Sequence, residues 1–179
     1  MTPSLPLSHH FGCSIIEIEE HLKQASHLVN PNSGIANDFL NQYNEILLLV
    51  ENLPILLPEM IDDLLAWKPR SYEEYFRTSP LVGGEIAIKI YQALKASFRD
   101  IFEAQIEKIN GLANRGIVVI AHQQHGSEEM RPEDVEAFCE EISTQLRAEI
   151  EKAADLVNHG LALPPETSQQ MADRLMMRA

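Results

Sequence analysis

Apolar residues recur at three- and four-residue steps in six separate segments, and proline, glycine or a capping residue separates most of them. That spacing gathers the apolar side chains of each segment on one helical face, which another surface must cover. The first segment opens with Ser14 and Glu17, a capping box, and carries Ile15, Ile18, Leu22, Ala25 and Val29 to a stop at Asn30-Pro31. A second runs from about Ile35 to Leu53, with Phe39, Leu40, Tyr43, Ile46, Leu47 and Val50 inward. Leu48 and Leu49 make its last two turns apolar almost all round, so the rest of the fold or another subunit has to cover them.

Pro58 suits the first turn of a third helix ending near Trp67. Ser71 and Glu74 form a second capping box and start a short helix bearing Tyr72, Tyr75 and Phe76, which Ser79-Pro80 closes. After Gly83-Gly84 the spacing predicts one long helix to about Leu112. Gly111 and Gly116 bracket a turn-rich stretch, and Ile117–Ile120 favours a strand by propensity. A lone strand has no partner in a helical chain unless it pairs across a dimer axis, so a helix continuation or a buried linker is the better reading. His122 to Arg131 reads as a loop. Pro132 then opens a long helix with Cys139, Ile142, Leu146, Ile150 and Val157 inward, and Gly160 stops it. A last short helix follows Pro164-Pro165. The expected fold class is all-α: an irregular helical bundle of four to five helices over residues 1–121, with a C-terminal helical arm over 122–179.

Charge narrows the partners. Fourteen Lys and Arg against 27 Asp and Glu give a net charge of −13, which argues against nucleic acid as the principal ligand. No apolar run approaches the roughly 20 residues of a membrane span, so no membrane partner is expected. Residues 1–11 contain no Lys or Arg and do not read as a signal peptide. The two cysteines, Cys13 and Cys139, form no C-x-x-C, and a cytoplasmic setting is the expectation.

Motifs for chemistry are missing. Gly111 and Gly116 have P-loop spacing, but Ile117 stands where the phosphate-binding lysine is required. No carboxylate lies three residues before any histidine, which excludes the di-iron pattern of helical bundles. Glu17 with His21, and His122 with His125, are weak ligand pairs at best, and neither a metal nor another cofactor is expected. The stretch from His21 to Ser26 does not reproduce the exposed-histidine pattern of a phosphorelay domain, because its lysine is displaced and its glycine is missing.

Two polar features remain as candidate ligand or partner sites. The stretch from Trp67 to Arg77 concentrates the only tryptophan, two tyrosines and three basic residues on a proline-bent connector; Trp67, Arg70, Tyr72 and Tyr75 are its candidates. Aromatic residues and arginine dominate binding hot spots. The second feature is the row Asn37, Asn41 and Asn44 beside the apolar face of the second helix, with Asn41 and Asn44 the candidates.

The segment Asp38-Phe39-Leu40-Asn41-Gln42-Tyr43-Asn44-Glu45, followed by Leu65-Ala66-Trp67-Lys68-Pro69-Arg70-Ser71-Tyr72, resembles a pattern in short helical bacterial proteins of unassigned activity. The resemblance spans roughly residues 35–110. It implies a helical fold and the aromatic connector, and it carries over no function. The functional expectation is a non-enzymatic interaction protein, a homodimer that buries the Ile46–Val50 face or the C-terminal arm. The acidic surface also suits a basic protein partner. The alternative is a small-molecule- or metal-binding helical protein with its pocket near Trp67 and Arg70.

Overall fold

A computed structural model describes Lys23 and residues 27–53, 58–125 and 131–161. The fold is all-α. Six helices are described: α1 (Asn41–Glu51), α2 (Pro58–Ala66), α3 (Tyr72–Thr78), α4 (Gly84–Ala93), α5 (Ala96–His125) and α6 (Pro132–His159). The helices expected over 14–29 and after Pro165 lie outside the described residues, apart from Lys23, which is helical, and residues 27–29, where the chain is already turning.

That turn closes one end of the molecule. Asn30 N–H donates to Ile35 O at 2.9 Å and Gly34 N–H to Asn30 O at 2.8 Å, with Gly34 at φ 76°. The last carbonyls of a helix have no partner within it. Here Ser33 Oγ donates to Val157 O, and Asn32 Nδ2 to Asn158 O at 2.9 Å. Polar side chains of the turn therefore cap α6 from outside.

The expected second helix begins as a single 3₁₀ turn, Asn37–Leu40, before α1 proper. Helix α1 packs on α2, α5 and α6. Ile46, Leu47 and Val50 are consequently buried and Leu49 half-buried, while Leu48 stays 59% exposed. The chain's own helices thus supply most of the cover that the apolar turns require. In α3, Glu74 N–H donates to Ser71 Oγ at 3.2 Å, as the capping box predicts, and the helix ends at Ser79.

The single helix predicted from Gly84 to Leu112 is two. Leu94 adopts extended geometry (φ −60°, ψ 149°), and Lys95 O then accepts from Phe98 and Arg99 N–H to start α5. The break reorients the chain so that Tyr91, Leu94, Phe98 and Phe102 are all buried in one core. Helix α5 then continues where a turn and a loop were expected, through Gly111, Gly116, Ile117–Ile120 and on to His125. Of the readings open for 117–120, the helix continuation is the one observed. Gly116 is buried, and a Cβ there would make ordinary contact, 3.5 Å from Ile142 and 3.9 Å from Val50.

Helix α6 runs back antiparallel along α5. Gly116 faces Ile142, and Gln105 Nε2 donates to Glu149 Oε2 at 2.7 Å and to Glu149 O at 2.9 Å. Arg147 pairs with Glu51 of α1. Ile142, Leu146, Ala153 and Val157 join the same core as α1 and α5, and the expected boundary at 121/122 falls inside the last turn of α5.

Two glycine substitutions are expected to move stability in opposite directions. Gly111 is exposed in mid-helix, and nothing lies within 4 Å of a Cβ added there. Gly111→Ala should raise unfolding free energy by about 0.5–1 kcal/mol, since alanine loses less conformational freedom in a helix. At Gly84 the added Cβ would meet Phe76 O at 2.9 Å, where α3 and α4 approach. Gly84→Ala should lower stability by about 1–3 kcal/mol. Urea denaturation at constant m reads both.

Candidate functional site

Between Trp67, whose N–H still donates to Leu64 O, and Ser71, whose carbonyl already accepts from Tyr75 N–H, residues 68–70 join α2 to α3 outside any helix, so their polar groups need other partners. Gln42 on α1 supplies them. Its side-chain Oε1 accepts from Arg70 N–H at 2.9 Å and its Nε2 donates to Arg70 O at 3.2 Å. Its main-chain carbonyl accepts from Trp67 Nε1 at 3.2 Å. Gln42 is only 2% exposed while Arg70 and Trp67 are half-buried, so these bonds are partly sheltered from water.

Beside this clamp lies a cavity of about 510 Å³. One wall is the connector and the start of α3, with Pro69, Arg70, Ser71 and Glu73, plus Arg77 one turn on. Facing it is α5, with Glu103, Ile106, Glu107 and Asn110. Phe39, Tyr72, Tyr91 and Phe102 form an aromatic base. These rings pack on one another: Tyr72 stacks on Tyr91 at 4.1 Å, and Phe39 meets Tyr72 at 5.2 Å and Phe102 at 6.0 Å.

Charge is distributed unevenly around the rim. Arg77 pairs with Glu73 at 2.7 Å, and Gln92 Nε2 donates to the other Glu73 oxygen at 2.7 Å. The Gln92 bond, followed by the Arg77 charge, holds the Glu73 carboxyl below its usual range. Arg70 meets no carboxylate among the described residues; its guanidinium lies 4.8 Å over the Tyr75 ring and donates to Thr78 Oγ1 at 3.3 Å. Across the cavity, Glu103 accepts from Tyr91 OH at 2.9 Å, and Glu107 accepts from Asn110 Nδ2 at 3.4 Å. Asn110 Oδ1 in turn accepts from Tyr43 OH at 3.1 Å.

Of the six candidate residues, the structure brings Arg70 and Tyr72 to the cavity and seats Tyr75 beneath Arg70. Trp67 is tied to the site through Gln42 but does not line it. Asn41 and Asn44 do not reach the cavity: both are exposed, and Asn41 donates to Asp38 at 3.4 Å. Sequence reasoning missed Gln42 and the α5 wall. Gln42 was signalled, since it falls on the inward stripe with Phe39, Tyr43 and Ile46, where a polar residue needs a partner. Glu103, Glu107 and Asn110 follow i, i+4, i+7 spacing on one face, yet nothing local ties them to the connector.

Among the described residues no group of three or more His, Cys, Asp or Glu is placed to hold a metal ion, and no helix is long and apolar enough to cross a membrane. Comparison with known protein families, curated proteins and solved structures finds no match.

The tyrosines give this site a pH signature. All four of the chain, Tyr43, Tyr72, Tyr75 and Tyr91, have phenols raised above their ordinary value, first through burial. Nearby carboxylates add to this, Glu107 at Tyr43 and Glu103 at Tyr91. A raised phenol favours the protonated form in the folded state. Its contribution is whole below the unfolded value of about 10 and is lost as pH rises through the higher folded value. Stability should therefore fall from about pH 10 upward. Tyrosinate absorbance should appear together with loss of helical circular dichroism, while the urea-unfolded chain titrates near the ordinary value. Full titration of a still-helical protein at that value would contradict the packing described.

Proposed function

We propose that the protein is a non-enzymatic binding protein that takes a small organic molecule in the cavity between the connector and α5. The observation that carries this reading is the preset rim: Gln42 fixes the backbone of Arg70, and Tyr75 with Thr78 orients its guanidinium. Preorganised polar groups around an apolar base are what ligand sites between helices are made of, and about 510 Å³ lies within the roughly 300–1,000 Å³ range of such sites. The buried free thiol of Cys139 suits the reducing cytoplasm expected from the sequence.

A chemically unbiased fragment screen tests the reading, with Trp67 fluorescence as the readout, because the indole is hydrogen-bonded to the residue that holds Arg70. Hits should shift Trp67 emission in the native protein, and the shift should be lost in Arg70→Ala at unchanged helical content. A screen without hits, or hits indifferent to Arg70→Ala, would count against the cavity.

The expected homodimer is the second reading. Exposed Leu48 next to half-buried Leu49 favours it, although one leucine is a small part of the roughly 1,200 Å² that stable interfaces bury. Sedimentation should then show a dimer that Leu48→Glu converts to monomers. A native monomer, or a Leu48→Glu dimer, would remove this interface.

A further inference from the structure

Resting on the cavity reading above, we infer that the ligand is amphoteric: a short peptide or similar molecule carrying both an ammonium and a carboxylate group on an apolar body. The rim charges that remain after internal pairing define it. Arg77 and Glu73 neutralise one another. What remains is Arg70 on the connector side and Glu103 and Glu107 on the α5 side, all lining one cavity and none in an ion pair among the described residues.

Each side has a physical reason to select its counterpart. Arg70 has five N–H donors, and one recorded bond, to Thr78, engages them. A guanidinium fixed at its backbone and stacked on a ring presents a planar fork, the geometry that reads a carboxylate through two parallel bonds. Opposite it, Glu103 and Glu107 are one helical turn apart, and like charges at that spacing disfavour a helix. Their recorded bonds come from the neutral donors Tyr91 OH and Asn110 Nδ2, so no cation is in direct contact with either among the described residues. An ammonium group placed between them relieves that repulsion and gains charge-assisted hydrogen bonds. Ile106 and the aromatic base give the body of the molecule an apolar surface between the two ends. A purely anionic ligand would meet the two glutamates, and a purely cationic one would meet Arg70.

Four versions of one dipeptide, phenylalanyl-leucine, test the inference by calorimetry on the full chain at neutral pH and low salt: free, N-acetylated, C-amidated and blocked at both ends. The free peptide is expected to bind tightest, and blocking either end should weaken binding at least about tenfold. Arg70→Gln should abolish the advantage of the free carboxylate alone. The double variant Glu103→Gln with Glu107→Gln should abolish the advantage of the free amine alone. This separation of the two ends is something a merely structural role would not produce, and circular dichroism confirms that the variants fold. Equal binding of the free and doubly blocked peptides, or end preferences that survive the variants, would overturn the inference. If no version binds while fragment hits still shift Trp67 emission in an Arg70-dependent manner, the amphoteric inference fails and the cavity reading stands. If neither is seen, both fail.

Discussion

The side-chain amide of Gln42 is a peptide group in miniature, with one acceptor and a donor in the geometry that a backbone neighbour would offer. By pairing with both polar groups of Arg70 it does for the connector what a helix does for its own residues. Arg70 is half-buried, so an unmet N–H or C=O there would cost part of the roughly 1–3 kcal/mol that a fully buried group loses. The same residue accepts from Trp67 through its main chain, so three points of the 67–70 stretch are held by one position on α1. Arg70, Ser71 and Tyr72 then leave the clamp in a fixed direction, and Ser71 starts α3 from there.

Beyond the clamp, aromatic packing carries the order into the rest of the fold. Phe39 sits among Tyr43, Tyr72, Tyr75 and Phe102, so one ring joins the 3₁₀ turn, α1, α3 and α5. Rings of this size that are fully buried contribute about 1.5–3 kcal/mol each through area removed from water, and their edge-to-face contacts add direction. Tyr72 links the cluster to α4 by stacking on Tyr91, and its hydroxyl accepts from Ala36 N–H at 3.0 Å. The base of the cavity is therefore the top of the core. Stability and the shape of the cavity depend on the same residues, which leaves the rim, and Arg70, Glu103 and Glu107 in particular, as the part that can vary in chemistry without loss of fold.

Local chemistry was the legible part of the sequence. Ser71 with Glu74, Pro58, Pro132 and Gly160 mark helix ends that the structure reproduces, because capping and proline geometry depend on neighbours in the chain. The break at Leu94-Lys95 has no such mark. Extended geometry there is set by the burial of Tyr91 and Phe98 on either side, a tertiary demand. At Gly111–Gly116 the glycines argued for a turn that does not form. For the β-branched run after it the helix continuation, weighed against strand and linker, is the one observed, with Gly116 packed toward Ile142 and Val50 as α5 passes through. At the site, Arg70, Tyr72 and Tyr75 were visible as an aromatic and basic cluster. Gln42 was passed over for its neighbours Asn41 and Asn44 because helical residues one apart point about 100° away from each other, and of these three only Gln42 faces the core. The acidic wall of α5 is some thirty residues from the connector in sequence and meets it only through the fold.

Amide hydrogen exchange at Arg70 tests the account most directly, because the clamp gives a single N–H outside every helix a buried acceptor. Arg70 N–H should exchange far more slowly than an unstructured amide, with the protection lost in Gln42→Ala while amides in the middle of α5 and α6 remain protected. An Arg70 amide that exchanges at the unstructured rate in the native protein would contradict the clamp, and with it the preset rim on which the proposed binding function rests.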